Sequence, residues 1–94
     1  MSAEIKPTGN GHYAITGELG FDTVSALYPG PFTGESGVQL DLSGVTHTDS
    51  AGLALLVQWA HDAHRRDVKI GFSNIPGQLA AMIKVAELET VFGL

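Results

Sequence analysis

Alternating apolar residues mark two strands, one near the start of the chain and one near its middle. Tyr13 and Ile15 alternate with polar or small neighbours within residues 12–16, and three aliphatic residues alternate in the same way within residues 38–42. This period of two is typical of half-buried strands, because successive side chains of a strand point to opposite faces. Both segments are therefore predicted to place their apolar side chains on a common core.

Two further strands and one connecting loop are predicted. Residues 68–72 are rich in β-branched and aromatic side chains and predict another strand. Residues 8–11 have the composition of a turn, so residues 4–6 are expected to pair back on the first strand as a hairpin arm. Residues 44–49, in contrast, are expected to form a connecting loop.

Apolar residues at helical spacing predict a long helix over residues 50–66. Asp49 or Ser50 can cap its start, and Arg65 and Arg66 suit the negative end of the helix dipole. The face that packs on the sheet is predicted to carry the following residues: Leu53, Leu56, Val57, Ala60 and His64.

Leu55 and Trp59 lie four residues apart on a neighbouring stripe of the same helix. Two interpretations are open. The favoured one places them at the flank of the core, and the other makes them an exposed apolar patch for a partner, where aromatic side chains often dominate binding.

Two short helices are predicted on either side of this long one. Asp22 is expected to cap a helix over residues 23–28, which the Pro-Gly-Pro run at residues 29–31 would end. Asn74 is expected to cap a last helix that begins near Pro76. The predicted buried stripe of that helix consists of Leu79, Met82, Ile83 and Ala86.

Strands that alternate with helices predict an α/β fold with crossover connections. The expected sheet is mixed and mostly parallel, with four to five strands and helices packed on it. The apolar pair at residues 91–92 is expected to pack back on the core. A length of 94 residues is typical of one domain, so residues 1–94 are interpreted as a single unit.

Charge and composition exclude several classes of partner. The chain carries 5 basic and 10 acidic residues, for a net charge of −5. Its only basic pair, Arg65 and Arg66, is flanked by Asp62 and Asp67, so no nucleic-acid partner is expected. The longest apolar run, residues 53–57, is too short to span a bilayer, and no direct membrane insertion is expected. The absence of cysteine fits a reducing compartment.

Candidate catalytic and metal-binding side chains lack the partners that such sites require. Ser50 is not preceded by the glycine of a nucleophile elbow, and no acid is placed to orient His47. His61 and His64 could share a metal ion, but a site needs three or four ligands. His61 is expected at the surface and His64 half-buried. No enzymatic activity, cofactor or metal ion is therefore expected.

Three short runs together resemble a known family. These are Asp-Leu-Ser-Gly-Val at residues 41–45, Thr-Asp-Ser-Ala-Gly-Leu at residues 48–53, and Gly-Glu-Leu at residues 17–19. They resemble the signature of the STAS family. That family includes anti-sigma factor antagonists, the cytoplasmic tails of sulfate transporters, and the small STAS subunit of the bacterial Mla phospholipid transporter. The resemblance implies a STAS-like α/β domain over nearly the whole chain.

The resemblance also implies where a partner would bind. In antagonists the serine that matches Ser50 is phosphorylated by a partner kinase, and in the transporter subunit the matching hydroxyl residue contacts the partner ATPase. A plain capping role for Ser50 or Asp49 remains open beside these. Gly52 is interpreted as a point of close backbone approach, to the sheet or to a partner. The implied partner-binding residues are Thr48, Asp49, Ser50, Ala51, Gly52, Ala54 and Leu55.

Two details distinguish the branches of the family. The run Gly-Leu-Ala-Leu-Leu at residues 52–56 resembles the transporter subunit, and Gly20 stands where antagonists commonly carry an acid, although Asp22 could substitute. The leading expectation is a cytoplasmic subunit, held at the inner membrane by its complex, that docks on the ATPase of a phospholipid ABC transporter. The alternative is an anti-sigma factor antagonist that binds a kinase and is switched by phosphorylation of Ser50.

Overall fold

The computed structural model describes residues 2–28 and 36–94, and these hold four strands and three helices. The strands are β1 (Ala3–Gly9), β2 (His12–Leu19), β3 (Gly37–Thr48) and β4 (Lys69–Ser73). The helices are α1 (Val24–Leu27), α2 (Ser50–Arg65) and α3 (Gly77–Val85).

The strands form one sheet in the order β1-β2-β3-β4. β1 pairs antiparallel with β2, whereas the β2–β3 and β3–β4 pairs are parallel. The predicted mixed and mostly parallel sheet is confirmed. The predicted hairpin arm is confirmed as well and is longer than expected, because Ile5 pairs with Ile15 in the middle of a seven-residue strand.

β3 continues through the segment that was predicted to be a loop, so the loop prediction for residues 44–49 is wrong. The register between β2 and β3 shifts between Ala14 and Thr16 and again between Gly17 and Glu18. At each shift β3 advances by one residue more than β2, which is the pattern of a β-bulge.

The two bulges change the spacing of the buried side chains on β3. The spacing is two residues up to Leu42, and it becomes three at Val45 and again at Thr48. An extra residue at each bulge turns the strand so that every third side chain faces the core. This is why the segment has no simple alternation in its sequence.

The buried face of α2 is turned slightly from the predicted one. Leu56 and Ala60 are buried as predicted, Leu53 and Val57 are half-buried, and His64 is exposed, so the placement of His64 against the sheet was wrong. Leu55 and Trp59 are both buried in the core, which confirms the favoured interpretation of that pair. The buried residues of the helix are Gly52, Leu55, Leu56, Trp59, Ala60 and Ala63.

α1 begins one residue later than predicted and is capped differently. Its N-cap is Thr23 rather than Asp22, and the Thr23 hydroxyl does not cap the helix. Instead, the hydroxyl donates to the Glu18 carbonyl at 2.6 Å and accepts from the Gly20 N–H at 3.0 Å, which fixes the turn after β2. The helix stop predicted at residues 29–31 lies outside the described residues.

The N-cap position of α3 is Pro76, which makes no side-chain capping hydrogen bond, so the predicted cap at Asn74 is wrong. Asn74 has a positive φ of 55°, and its side-chain amide donates to Asp41 Oδ1 at 3.0 Å. Of the predicted stripe, Leu79 and Ile83 are fully buried, whereas Met82 is half-buried and Ala86 is exposed.

The core lies between the sheet and the helices, and Phe92 packs back on it as predicted. Its ring centroid lies 4.8 Å from that of Phe72 on β4, whereas Val91 remains partly exposed. No helix within the described residues has the length and apolar character needed to span a bilayer. The buried cluster consists of Tyr13, Ile15, Leu19, Leu27, Val38, Leu40, Leu42, Val45, Leu55, Leu56, Trp59, Leu79, Ile83 and Phe92.

Candidate functional site

The start of α2 lies where the carboxyl ends of β2 and β3 meet. Leu19 and Thr48 are register partners at these ends, and the Asp49 N–H donates to the Leu19 carbonyl at 3.2 Å. Asp49 has extended backbone geometry, and the helix begins at the next residue. The two strands therefore bring the turn after β2 against the first turn of the helix.

The Asp49 carboxylate joins these two segments. Its Oδ1 accepts the N–H groups of Ala51 at 2.9 Å and Gly52 at 3.1 Å, which are free donors of the first helical turn. Its Oδ2 accepts the N–H of Phe21 at 3.0 Å from the turn after β2. Of the two residues predicted to cap the helix, Asp49 and Ser50, it is Asp49 that does so.

These hydrogen bonds hold the pKa of Asp49 below its ordinary value of 3.8. The Phe21 N–H has the largest effect, followed by the Gly52 N–H, with smaller contributions from Ala51 and from the charge of His47. Partial desolvation acts in the opposite direction but does not cancel them. The site therefore keeps a carboxylate anion at neutral pH.

The lowered pKa predicts how Asp49 contributes to stability at different pH values. A carboxyl group with a lower pKa in the folded state stabilises the fold above the unfolded pKa, and the contribution is lost as the pH falls through the folded value. Asp49→Asn should therefore be less stable than wild type at pH 7, and the gap should close below about pH 3.8. Urea unfolding of both proteins from neutral to acidic pH measures the gap.

Asp41 also has a lowered pKa, chiefly through the Asn74 amide. Because wild type and Asp49→Asn both contain Asp41, its effect cancels in the difference between their stabilities. Asp22→Asn is the matched control, because that exposed carboxylate accepts no hydrogen bond within the described residues. A gap between wild type and Asp49→Asn that stays constant into acid would contradict the prediction.

Two glycines allow the close packing at this junction. A Cβ at Gly52 would lie 2.7 Å from the carbonyl carbon of Leu19 and closer still to its oxygen, so Gly52 serves the approach of α2 to the sheet. A Cβ at Gly20 would lie 2.8 Å from Asp49 Oδ2. The carboxylate of Asp49 therefore occupies the space beside position 20.

The structure divides the predicted partner-binding residues into two groups. Ser50 and Ala54 are exposed, and Asp49 and Ala51 are partly exposed. The remaining three, Thr48, Gly52 and Leu55, are buried.

These three residues are buried and offer little surface of their own to a partner. The Thr48 side chain and the Leu55 side chain point into the core, and the Thr48 N–H donates to Gln78 Oε1 of α3 at 3.1 Å. These residues therefore support the exposed start of α2 from the core side. The exposed Phe21, Asp22, Ser50 and Ala54, together with the partly exposed Asp49, are called the helix-start surface.

Phe21 belongs to this surface although the sequence patterns did not single it out. Its side chain is 81% exposed, while its backbone is bonded to Asp49. An apolar residue directly after Gly20, outside any periodic segment, was the available signal.

The other candidate sites lie elsewhere or lack ligands. His61 and His64 are both exposed, which corrects the half-buried placement of His64, and the described residues contain no group of three metal-ligating side chains. A cleft of about 740 Å³ lies beside the second half of α2, where these histidines and Lys69 line it. It includes no residue of the helix-start surface.

Comparison with known proteins agrees with this architecture. The family profile described as "Mlab, STAS domain" matches residues 8–94. None of the curated proteins matches the chain significantly.

Several solved structures share the fold. The sulfate transporter family protein from Wolinella succinogenes has a TM-score of 0.74 at 17% identity, over 96% of this chain and 76% of its own. The anti-sigma factor antagonist SpoIIAA in its unphosphorylated form has a TM-score of 0.67 at 12% identity, over 87% and 81%. The anion transporter family member SLC26A9 gives 0.67 at 19% identity, over 85% of this chain and 16% of its own. At these identities the likeness concerns the fold, and the matched profile assigns the family: this chain belongs to the STAS domain family.

Proposed function

We propose that this protein is a non-catalytic subunit that docks on the cytoplasmic ATPase of an ABC-type phospholipid transporter and supports its assembly or activity. The observation that carries the proposal is the helix-start surface. There the Ser50 hydroxyl and the small Ala54 side chain are exposed. The N–H groups of Ala51 and Gly52 in the first helical turn are already bonded to Asp49. The description of the matched family profile, "Mlab", favours the transporter branch. Residues 1–94 would act as one domain, held at the inner membrane by its partner.

The geometry of the helix-start surface supports docking of a partner protein. Ser50 and Ala54 lie one turn apart on the exposed side of α2 and are small enough for a partner backbone to approach closely. Asp49 fixes the first turn below them through hydrogen bonds to Ala51 and Gly52. A surface that is ordered before binding loses little conformational entropy on binding.

Ala54→Arg tests this surface. Since Ala54 is exposed, the long charged side chain should leave the fold intact, but it would obstruct a docked partner. We expect the affinity for the purified transporter ATPase subunit of the same organism to fall at least about tenfold, or about 1.4 kcal/mol. Isothermal titration calorimetry measures the affinity, and thermal unfolding checks the fold.

Ala81→Arg is the matched control, because Ala81 is an exposed alanine on α3 that is not part of the helix-start surface. It should bind like wild type. Equal affinities for wild type and a folded Ala54→Arg variant would count against docking through this surface.

The alternative function is an anti-sigma factor antagonist switched by phosphorylation of Ser50. The exposure of Ser50 favours it, because a kinase could reach the hydroxyl. A phosphate there would carry about −1.5 to −2 charges. However, Asp49 already occupies the nearby N–H groups of Ala51 and Gly52 and would repel it. Purification of the native complex distinguishes the two functions: recovery of a kinase without an ATPase would defeat the leading proposal.

A further inference from the structure

We propose that Phe21 is the apolar anchor of this interface and that its binding site on the ATPase is an apolar pocket bordered by Lys or Arg. The inference rests on the proposed function and identifies the residue and the partner chemistry that would give the interface its affinity.

The exposure of Phe21 is the first argument. Its side chain is 81% exposed, so most of the ring contacts no part of the fold. Aromatic side chains of this kind, when they fill a pocket at the centre of an interface, account for a large share of binding energy. Its N–H is bonded to Asp49, which directly precedes the exposed Ser50 at the start of α2.

The backbone of Phe21 is held in place by hydrogen bonds. Its N–H donates to Asp49 Oδ2 at 3.0 Å, which ties it to the helix cap. The preceding residue, Gly20, donates its N–H to the buried Thr23 hydroxyl at 3.0 Å, and that hydroxyl in turn donates to the Glu18 carbonyl. A ring carried by an ordered turn has less conformational freedom to lose on binding.

The charges around Phe21 indicate the chemistry of the partner. The segments that build this corner, residues 18–23 and 46–54, contain Glu18, Asp22 and Asp49 but neither Lys nor Arg. Asp22 is exposed, and the lowered pKa of Asp49 keeps that group anionic. A pocket rimmed with basic side chains would complement this charge, whereas an acidic rim would be repelled.

Phe21→Ser tests the anchor, with Phe21→Leu as the conservative variant. Because the ring is exposed, both variants should unfold at the same temperature as wild type. We expect Phe21→Ser to bind the purified ATPase subunit at least about tenfold more weakly, and Phe21→Leu to retain most of the affinity. Val85→Ser is the matched control, since Val85 is 86% exposed on α3, and it should bind like wild type.

The same titrations separate the failure of this inference from that of the proposed function. If the wild-type protein does not bind the ATPase, both fall. If wild type binds and Ala54→Arg weakens binding, but Phe21→Ser binds as tightly as wild type, the anchor alone is overturned. Affinity should also decrease when the salt concentration is raised from about 0.05 to 0.5 M, because screening weakens charge pairs. An affinity that does not respond to salt would overturn the basic rim.

Discussion

Leu56→Ala should lower the free energy of unfolding by about 2–5 kcal/mol, because it removes most of a fully buried side chain from the middle of α2. The loss combines the burial of the deleted methyl groups with the cavity that remains. In a domain whose total stability is about 5–15 kcal/mol, this is a large fraction. Urea unfolding followed by circular dichroism gives the value directly.

Leu94→Ala is the matched control for this core prediction. It deletes the same atoms from a side chain that is mostly exposed, so it should change the free energy of unfolding by less than about 0.5 kcal/mol. A comparably small effect of Leu56→Ala would show that this side chain does not lie in the core.

Gly52→Ala should destabilise the protein by about 2 kcal/mol or more, although alanine is the better helix former. The added Cβ would lie 2.7 Å from the Leu19 carbonyl carbon and 2.9 Å from its Cβ, so α2 would have to move away from the end of β2. Overpacking of this kind costs about 1–3 kcal/mol and sometimes more, and it exceeds the gain of up to about 1 kcal/mol in helix propensity. Urea unfolding measures the net change.

Gly77→Ala provides the opposite result as a control. Gly77 opens α3, and a Cβ there would meet no atom within 4 Å. The substitution should therefore be neutral or should stabilise the protein by up to about 1 kcal/mol. If Gly52→Ala behaved in the same way, the close approach of α2 to β2 would not limit which residue fits at position 52.

The sequence predicts the elements of this fold well where one periodicity continues over a whole segment. The two alternating strands and the long helix belong to this class, whereas the hairpin arm was predicted from the turn composition of residues 8–11. The helix was predicted with its buried face slightly misplaced because Leu53 and Leu55 are equally apolar. The close contact between Gly52 and Leu19 settles the phase, since it places Leu55, Leu56 and Trp59 on the same side. No local pattern contains that long-range contact.

The second half of β3 shows why a strand can be mistaken for a loop in the sequence. Its buried residues are spaced by three because two bulges interrupt the pairing with β2. A spacing of three, with Gly44 and polar residues between, is not typical of a strand, so the segment was predicted to be a loop. Pairing partners, which lie far away in the sequence, decide this conformation.

The sequence located the helix start of the candidate site but not its contacts. Helical spacing and capping chemistry placed Asp49 and Ser50 there, which the structure confirms. The bond between Asp49 and the Phe21 N–H joins residues 28 positions apart, and only the folded chain brings them together. The placement of the Asp49 carboxylate also explains the glycine at position 20, where a Cβ would lie 2.8 Å from its Oδ2.

The strand order along the sheet matches the strand order along the chain, and this has a consequence for synthesis on the ribosome. Each new strand can add to the free edge of the one before it, so no strand has to be inserted between two that are already paired. Translation, which releases the amino-terminal residues first, supplies the strands in the order in which they pair. Phe92, which packs on Phe72 of β4, is delivered after all four strands. A transcript truncated shortly before its codon would therefore encode a complete sheet with one aromatic side chain of β4 left uncovered.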